Sequence, residues 1–496
     1  MSNHPAGQPS YAGLSWRQAF ARLATQSSVY GFGNALQRLG AFFLLPLYLR
    51  FLSPDDYGLL ALVGVIPFIL PTVLLAGTPA AITRYYHEWV REGTAERNLW
   101  MVWVIGTGSA LAMTVGLHYV GEPLFRVALK QVPFEPHGRL GIWWAFFSSL
   151  SLCPLMLLRI REHGRTYVVI SQVSFFLGIA LIGYALMSGW GVIGVLRMQV
   201  LVAAGIGIWL SFWYVKQVRV TWSVTGLGRV FRVSLPLILS GFLEAVAGRA
   251  DRFLLDKWVP LPDIGLYSLA NQLGQGVKFF YDSVKPAWVP FYIRVAGERQ
   301  DADRFLGRVA GYYIALLGGV AIVVLLFGPL VIEWFSDGAG YRGSLPLLPL
   351  FVGSYVLQGL VPIGIMAIMV SERTGWTTVI HLVQLAVLIG ANVVLTPAWG
   401  VTGAAWALLI AYGVQGGLYL VFGQKCYPVQ LSWSHLTWLL GTVAGLIAAM
   451  LWWPVQGVLV SLALALVYVA VVLALLRPAS LTALRESLPF KKRGAA

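Results

Sequence analysis

Fourteen stretches of roughly 20 mostly apolar residues follow one another along the chain, and they leave little choice of fold. About 20 such residues, wound as a helix, cross the hydrocarbon layer of a bilayer. The runs lie at about 28–50, 57–82, 98–120, 140–158, 167–188, 191–214, 234–257, 264–289, 307–332, 345–370, 375–396, 400–422, 436–453 and 456–476. They lack the alternation of apolar and polar residues that marks barrel strands, so the expected spans are helices. Most joins are short, which leaves no room for an inserted soluble domain. Composition agrees: 58% hydrophobic, 11% charged, mean hydropathy +0.74, where a soluble domain carries roughly 25% charged residues. The reading is an all-α polytopic membrane protein with about 14 transmembrane helices.

Residues 1–27 lack the apolar core of a cleavable signal. Trp16, Phe20 and Leu23 fall at helical spacing beside Arg17 and Arg22, a pattern suited to a helix in the membrane interface. The two cysteines, Cys153 and Cys426, lie far apart and have no metal-ligand spacing, and nothing in the chain asks for a cofactor. The formal charge of +15 would suggest nucleic acid in a soluble protein. In a membrane protein it is read topologically, because Lys and Arg collect on the cytoplasmic side. With the N-terminus inside, 23 basic residues lie in cytoplasmic segments. Six lie outside: Arg50, Arg126, Lys130, Arg139, Lys257 and Arg342. That imbalance places both termini in the cytoplasm.

A second order of organisation appears on self-comparison. Asp56-Tyr57-Gly58-Leu59 returns 207 residues later as Asp263-Ile264-Gly265-Leu266, and Arg50-Phe51 as Lys257-Trp258. Pro154 matches Pro362, and Arg165-Thr166 matches Arg373-Thr374, at offset 208. Trp190-Gly191-Val192-x-Gly194 matches Trp399-Gly400-Val401-x-Gly403 at offset 209. The near-constant offset marks two pseudo-symmetric six-helix lobes, 28–232 and 233–423, followed by two extra C-terminal helices (424–476) and a basic tail (477–496). Six is even, so both lobes enter from the same side and the solute site is expected between them.

Ionisable groups inside spans are costly and call for a reason. Span seven carries Glu244, Arg249, Asp251, Arg252 and Asp256. Span eight carries Asn271, Gln275, Lys278, Asp282 and Lys285, at spacings of four, three, four and three, which is one polar stripe down a helix face. Span one adds Asn34 and Arg38; spans five and eleven add Gln172, His381 and Gln384. Such groups can simply pair with each other, Asp251 with Lys285 or Asp282 with Arg249. Yet five basic groups (Arg38, Arg249, Arg252, Lys278, Lys285) face three central acids (Glu244, Asp251, Asp282), and the excess suits a cavity that receives an anion. Arg fits phosphate through its planar fork. Pro67, Pro71 and Pro79 are expected to bend span two, and Pro236 and Pro286 spans seven and eight.

These residues also carry a resemblance. Leu44 to Arg84, with Pro46, the Asp-Tyr-Gly-Leu turn and Thr83-Arg84-Tyr85, resembles the opening of bacterial polysaccharide-biosynthesis flippases. So do Ser234-Leu235-Pro236, Asp251-Arg252-Phe253-Leu254-Leu255, Ile264 to Ala270, and Asn392 with Trp399 to Ala405. These are the O-antigen and exopolysaccharide translocases of the multidrug/oligosaccharidyl-lipid/polysaccharide superfamily. The resemblance implies an inner-membrane protein working by alternating access on an undecaprenyl-pyrophosphate-linked oligosaccharide, carried from the cytoplasmic to the outer leaflet. Cations at Arg38, Arg249, Arg252, Lys278 and Lys285 would meet the pyrophosphate, and Asn34, Asn271 and Gln275 the sugars. It further implies coupling to H⁺ or Na⁺, with Glu244, Asp251 or Asp282 as carriers, and partners among membrane lipids and polysaccharide polymerase or export machinery.

Rival readings are a lipid II flippase, a cation-coupled multidrug exporter of the same superfamily, and a membrane glycosyltransferase, polymerase or ligase. The exporter would favour acidic sites and about twelve spans. An enzyme usually needs a sizeable outer loop with catalytic groups, and the longest here runs from Gly121 to Gly138 with only Glu122, Glu135 and His137.

Overall fold

The computed structural model describes residues 43–75, 77–218, 220, 242, 245–246, 248–298, 302–335, 340–371, 373, 375–431, 437, 441 and 445. The interfacial segment 1–27, the first part of span one with Asn34 and Arg38, most of span seven with Glu244, spans thirteen and fourteen, and the basic tail lie outside the described residues. Eight helical runs among the described residues are long and apolar enough to cross a membrane. The chain divides into two compact units, one of Met1–Ser268 with Phe335–Gly340, the other of Leu269–Trp334 with Tyr341–Ala496.

In the first unit, α1 (43–51) leads into α2 (Pro54–Val63), α3 (Ile66–Leu74) and α4 (Thr78–Arg91). Ser53 and Asp56 form a reciprocal capping box at the start of α2: the Asp56 N–H donates to Ser53 Oγ at 3.2 Å and the Ser53 N–H to Asp56 Oδ2 at 3.2 Å. The acid of the Asp-Tyr-Gly-Leu motif is therefore a helix start signal, satisfying donors that a helix leaves open. The span expected at 57–82 is shorter than that and starts earlier. Pro54–Leu74 is the run that can cross, and α4 is a separate helix. The breaks fall where prolines remove donors: Pro67 stands in the first turn of α3, and Gly77, in the left-handed region at φ 71°, precedes Pro79 in the first turn of α4.

α4 turns Tyr85, Tyr86 and Trp89 into a buried cluster with Leu99, Trp100, Cys153, Leu157 and Tyr214. There Tyr214 donates to the Leu99 carbonyl at 3.1 Å. α5 (Ala95–Val120) and α6 (Glu122–Ala128) lead through a short π-helical turn to α7 (Arg139–Leu150), which bends at Ser151 into α8 (Leu152–Ile160). α9 (Gly164–Met187) and α10 (Gly191–Val215) form a hairpin, and α11 (Ala250–Trp258) follows. α12 (Leu261–Glu298) starts in this unit and continues, unbroken, into the second.

The second unit adds α13 (Ala302–Phe335), a 3-10 turn at Tyr341–Leu347, α14 (Leu348–Gln358), α15 (Val361–Val370) and α16 (Gly375–Cys426). α16 is two helices joined at Gly400, whose φ of 57° and ψ of −136° no helix tolerates. Two spans expected at 375–396 and 400–422 are thus its two arms.

The sequence repeat has a direct structural counterpart. Gly191 and Gly400, equivalent at offset 209, both adopt φ 57°, and holding an L residue at positive φ costs roughly 1–3 kcal/mol. A Cβ on Gly194 would meet Ala185 at 3.3 Å, and one on Gly403 the Thr396 nitrogen at 3.0 Å. The Trp-Gly-Val-x-Gly motif is therefore the code for a tight hairpin, used twice. The bend of α7 into α8 at Ser151 returns at Gly359, between α14 and α15, each followed by its equivalent proline, Pro154 or Pro362. Within the first unit, equivalent glycines of α2 and α12 meet. A Cβ on Gly58 would strike the Leu261 carbonyl, and one on Gly265 the Pro54 carbonyl. Because 54 and 58 are equivalent to 261 and 265, the contact is self-complementary, as a two-fold relation requires.

Candidate functional site

The expected site residues fall into two neighbourhoods. In the first unit Arg249 stands at the N-cap of α11, its guanidinium 4.5 Å from the centre of the Phe68 ring, close enough for cation–π attraction. Asp251 and Arg252 are both buried, with side chains 8% exposed, and form an ion pair with each other. Tyr267 donates to Asp251 Oδ2 at 2.9 Å, and the Arg252 N–H donates to Asp251 Oδ1 at 3.0 Å. The Arg252 guanidinium also lies 5.5 Å from the Tyr267 ring centre. A buried ion pair overcomes its desolvation only with such extra hydrogen bonds, and loss of one partner leaves a stranded charge. Arg252, expected to face the cargo, spends its guanidinium on Asp251, and Asp251, expected to carry an ion, is tied to Arg252 and Tyr267.

Asp256 does something sequence reasoning did not foresee. Buried at 1% exposure, it accepts the Gln131 N–H at 3.0 Å and also the Lys130 N–H. Gln131 Nε2 returns bonds to the carbonyls of Asp256 at 2.8 Å and Val259 at 2.7 Å. This acid fastens the connection that follows α6.

In the second unit α12 carries the polar stripe. Asn271 is buried and its Oδ1 accepts from Tyr355 at 2.6 Å. Gln275 is half-buried. Lys278 Nζ lies 3.4 Å from Tyr281 Oη, where it donates, and 4.0 Å from Asp282 Oδ2. Tyr281 in turn donates to Gln358 Oε1. The Lys278 side chain is 38% exposed and that of Asp282 16%, while Lys285 is exposed. Along the stripe Asn271 is buried, Lys278 is the more exposed member of its pair with Asp282, and Lys285 is exposed.

Lys278, one turn away on its own helix, is a partner of Asp282, and Arg252 and Tyr267 are partners of Asp251. The uncharged groups around these charges, Tyr281, Tyr355 and Gln358, are not among the residues singled out from sequence. Tyr281 sits three residues from Lys278, a spacing that carries the signal; Tyr355 and Gln358 come from α14, where no charge marks them. His381 Nδ1 lies 2.8 Å from the Thr377 carbonyl and 3.2 Å from Tyr419 Oη, contacts that hold α16 to itself. Among the described residues no group of three His, Cys, Asp or Glu is placed to hold a metal.

What this arrangement offers is a partly exposed cation, flanked by hydroxyl and amide groups and one acid. It has the means to receive an anion with polar substituents, and an acid whose charge offsets the lysine when the anion is gone.

Comparison with known proteins places the chain. The family profile described as "Polysaccharide biosynthesis protein" matches residues 48–337. "Lsg locus putative protein 1" of Haemophilus influenzae is 21% identical over 410 residues, covering 78% of this chain and 96% of that one. The lipid II flippase MurJ in an inward closed conformation superposes with a TM-score of 0.71 at 12% identity, covering 90% of this chain and 98% of that one. An inward-facing multidrug resistance MATE family transporter of the MOP superfamily gives 0.57 at 17%, covering 79% and 97%. The chain shares the fold of these two proteins and belongs to the polysaccharide biosynthesis protein family.

Proposed function

We propose that the protein carries a polyprenyl-pyrophosphate-linked oligosaccharide from the cytoplasmic to the outer leaflet of the inner membrane, by alternating access. The observation that carries this reading is the stripe on α12: Lys278, partly exposed, with Tyr281 and Asp282 around it. The pyrophosphate meets Lys278 and is received by Lys285 at the cytoplasmic end of α12; Arg249, in the first unit, is a further cation of this reading. The Asp251–Arg252–Tyr267 knot fixes the start of α11 and so the position of Arg249. Asp282 is the acid best placed to exchange H⁺ or Na⁺ with the cargo, since it neutralises Lys278 once the anion has left. Arg38, Asn34 and Glu244 join the same reading from the sequence alone.

Lipid II presents the same pyrophosphate to the same cations, and it is the second reading, supported by the likeness to MurJ. Purified protein in liposomes tests both. The expected result is leaflet transfer of the lipid-linked oligosaccharide without chemical change, lowered roughly 10- to 100-fold in Arg249→Ala, on the scale of a charged hydrogen bond. Transfer of lipid II alone supports the second reading. A new glycosidic product overturns both in favour of an enzyme.

A further inference from the structure

The first unit contains a cleft of about 390 Å³ among α7, α8, α9 and α10, within the roughly 300–1,000 Å³ of small-molecule sites. Its chemistry differs from that of the charged groups described above. Ser148, Ser151, Ser171, Ser174 and Gln199 line it, with the aromatic rings of Trp144 and Tyr167. No Lys, Arg, His, Asp or Glu lies among its lining residues. Arg159 donates to the Tyr167 hydroxyl and lies 4.4 Å from its ring centre, so Trp144 is the aromatic surface left to a ligand. Gln199 Oε1 is buried and has no hydrogen-bond partner among the described residues, a state that costs free energy unless a ligand or water completes it.

The lining is patterned. Tyr167, Ser171, Ser174 and Gly178 repeat at four, three and four residues, a single face of α9. The scaffold does not require them to be polar. In the second copy of the repeat the equivalents of Ser148, Ser151, Ser171 and Ser174, at offset 208, are Val356, Gly359, Val379 and Leu382, and that of Gln199, at offset 209, is Leu408. One copy carries neutral hydroxyl and amide groups where the other is apolar.

Neutral donors and acceptors beside an aromatic ring match one ligand chemistry well: sugar rings, whose hydroxyls need hydrogen bonds and whose C–H faces pack on aromatic surfaces. We propose that this cleft binds sugar residues of the transported glycolipid, separately from the pyrophosphate. The inference rests on the transport reading above and adds to it a glycan subsite built from Ser148, Ser151, Ser171, Ser174, Gln199 and Trp144.

A photo-crosslinking residue tests it in cells that assemble the surface polysaccharide. With Ser174→p-benzoylphenylalanine, irradiation is expected to give an adduct that stains for glycan and disappears when the upstream glycosyltransferases are inactivated. Gln275→p-benzoylphenylalanine, which leaves Lys278 in place on α12, serves as the reference. A glycan adduct at 275 with only phospholipid, or nothing, at 174 overturns the subsite and leaves the transport reading standing. No glycan adduct at either position overturns both. Because the bulky residue could disturb folding, the near-isosteric pair Ser171→Val and Gln199→Leu provides a second measurement in liposomes. Two lost hydrogen bonds predict transfer of the oligosaccharide-bearing lipid falling about 5- to 150-fold, with undecaprenyl pyrophosphate bearing no sugar unaffected. Equal rates for variant and parent on the full glycolipid overturn the subsite.

Discussion

Residues 54–91 and 261–298 are equivalent at offset 207, begin with equivalent glycine contacts, and then diverge. The first stretch breaks into α2, α3 and α4; the second is one helix of 38 residues, about 57 Å at 1.5 Å per residue. Where α12 carries Asn271, Gln275, Lys278, Asp282 and Lys285, the first copy has Gly64, Phe68, Pro71, Leu75 and Thr78. Pro71 and the left-handed Gly77 stand where α12 has Lys278 and Val284. Pro67 and Pro79 stand in the first turns of α3 and α4, where a missing donor is tolerated. Pro71, however, lies inside α3, and the α12 backbone stays helical through Pro286 and Pro290, against the bend expected at Pro286. Proline alone does not set the breaks. The lesson is that symmetry here belongs to the turns and crossings, and chemistry is written separately into each copy.

That contrast can be broken most sharply at its centre. Lys278→Ala is expected to abolish export of surface polysaccharide while leaving membrane insertion intact, whereas Pro71→Ala should leave export near normal. Quantifying polysaccharide on intact cells beside protein in the membrane fraction checks both, and normal export from the lysine variant would remove the anion site from α12.

The shared crossing comes next. Gly58→Val and Gly265→Val each drive a side chain into the backbone of the other helix, at a cost of about 1–3 kcal/mol. Thermal unfolding in detergent should show the two falling together, and a large drop for only one would deny that the contact is symmetric. The smallest effect is expected at the hairpins. Gly191→Ala and Gly400→Ala should each cost roughly 1–3 kcal/mol for holding an L residue at positive φ. Similar losses in the same unfolding measurement would confirm that the motif does the same work twice; a tolerated alanine at either would show that hairpin to be adaptable.

Much of this was legible beforehand, and the reason is physical. Hydropathy reports which solvent a segment prefers, and the eight helical runs able to cross a membrane among the described residues all fall on expected spans, one of them, α16, covering two with its two arms. Spacing reports which residues share a helix face, so the α12 stripe was visible in full. The motif Trp-Gly-Val-x-Gly was seen as a repeat, and positive φ at its second residue explains why it recurs. Partners were not legible. Asp251 and Asp282 each have a cation close by in the chain, Arg252 and Lys278, one and four residues away. Tyr355 meets Asn271 across 84 positions of chain, a proximity that no periodicity encodes. Uncharged polar groups were the other omission. Serine in an apolar run is inexpensive and hardly moves hydropathy, so the face from Tyr167 to Gly178 went unread. The break after Val63 depended on where Pro67 found a helix start, a matter of a few residues that patterning does not fix.

The fastening of Lys130 and Gln131 to Asp256 and Val259 has a kinetic meaning. A surface connection normally opens on its own, with little free energy and long before the helices it joins. Here residues about 125 positions apart in sequence share one carboxylate, and peeling the connection away strands a buried anion together with the donors it served. The loop after α6 therefore has no separate low-energy opening. Its amides should exchange with solvent, and its peptide bonds meet a protease, at the pace of α11 itself, so the most exposed part of this connection reports on one of the most deeply held acids in the molecule.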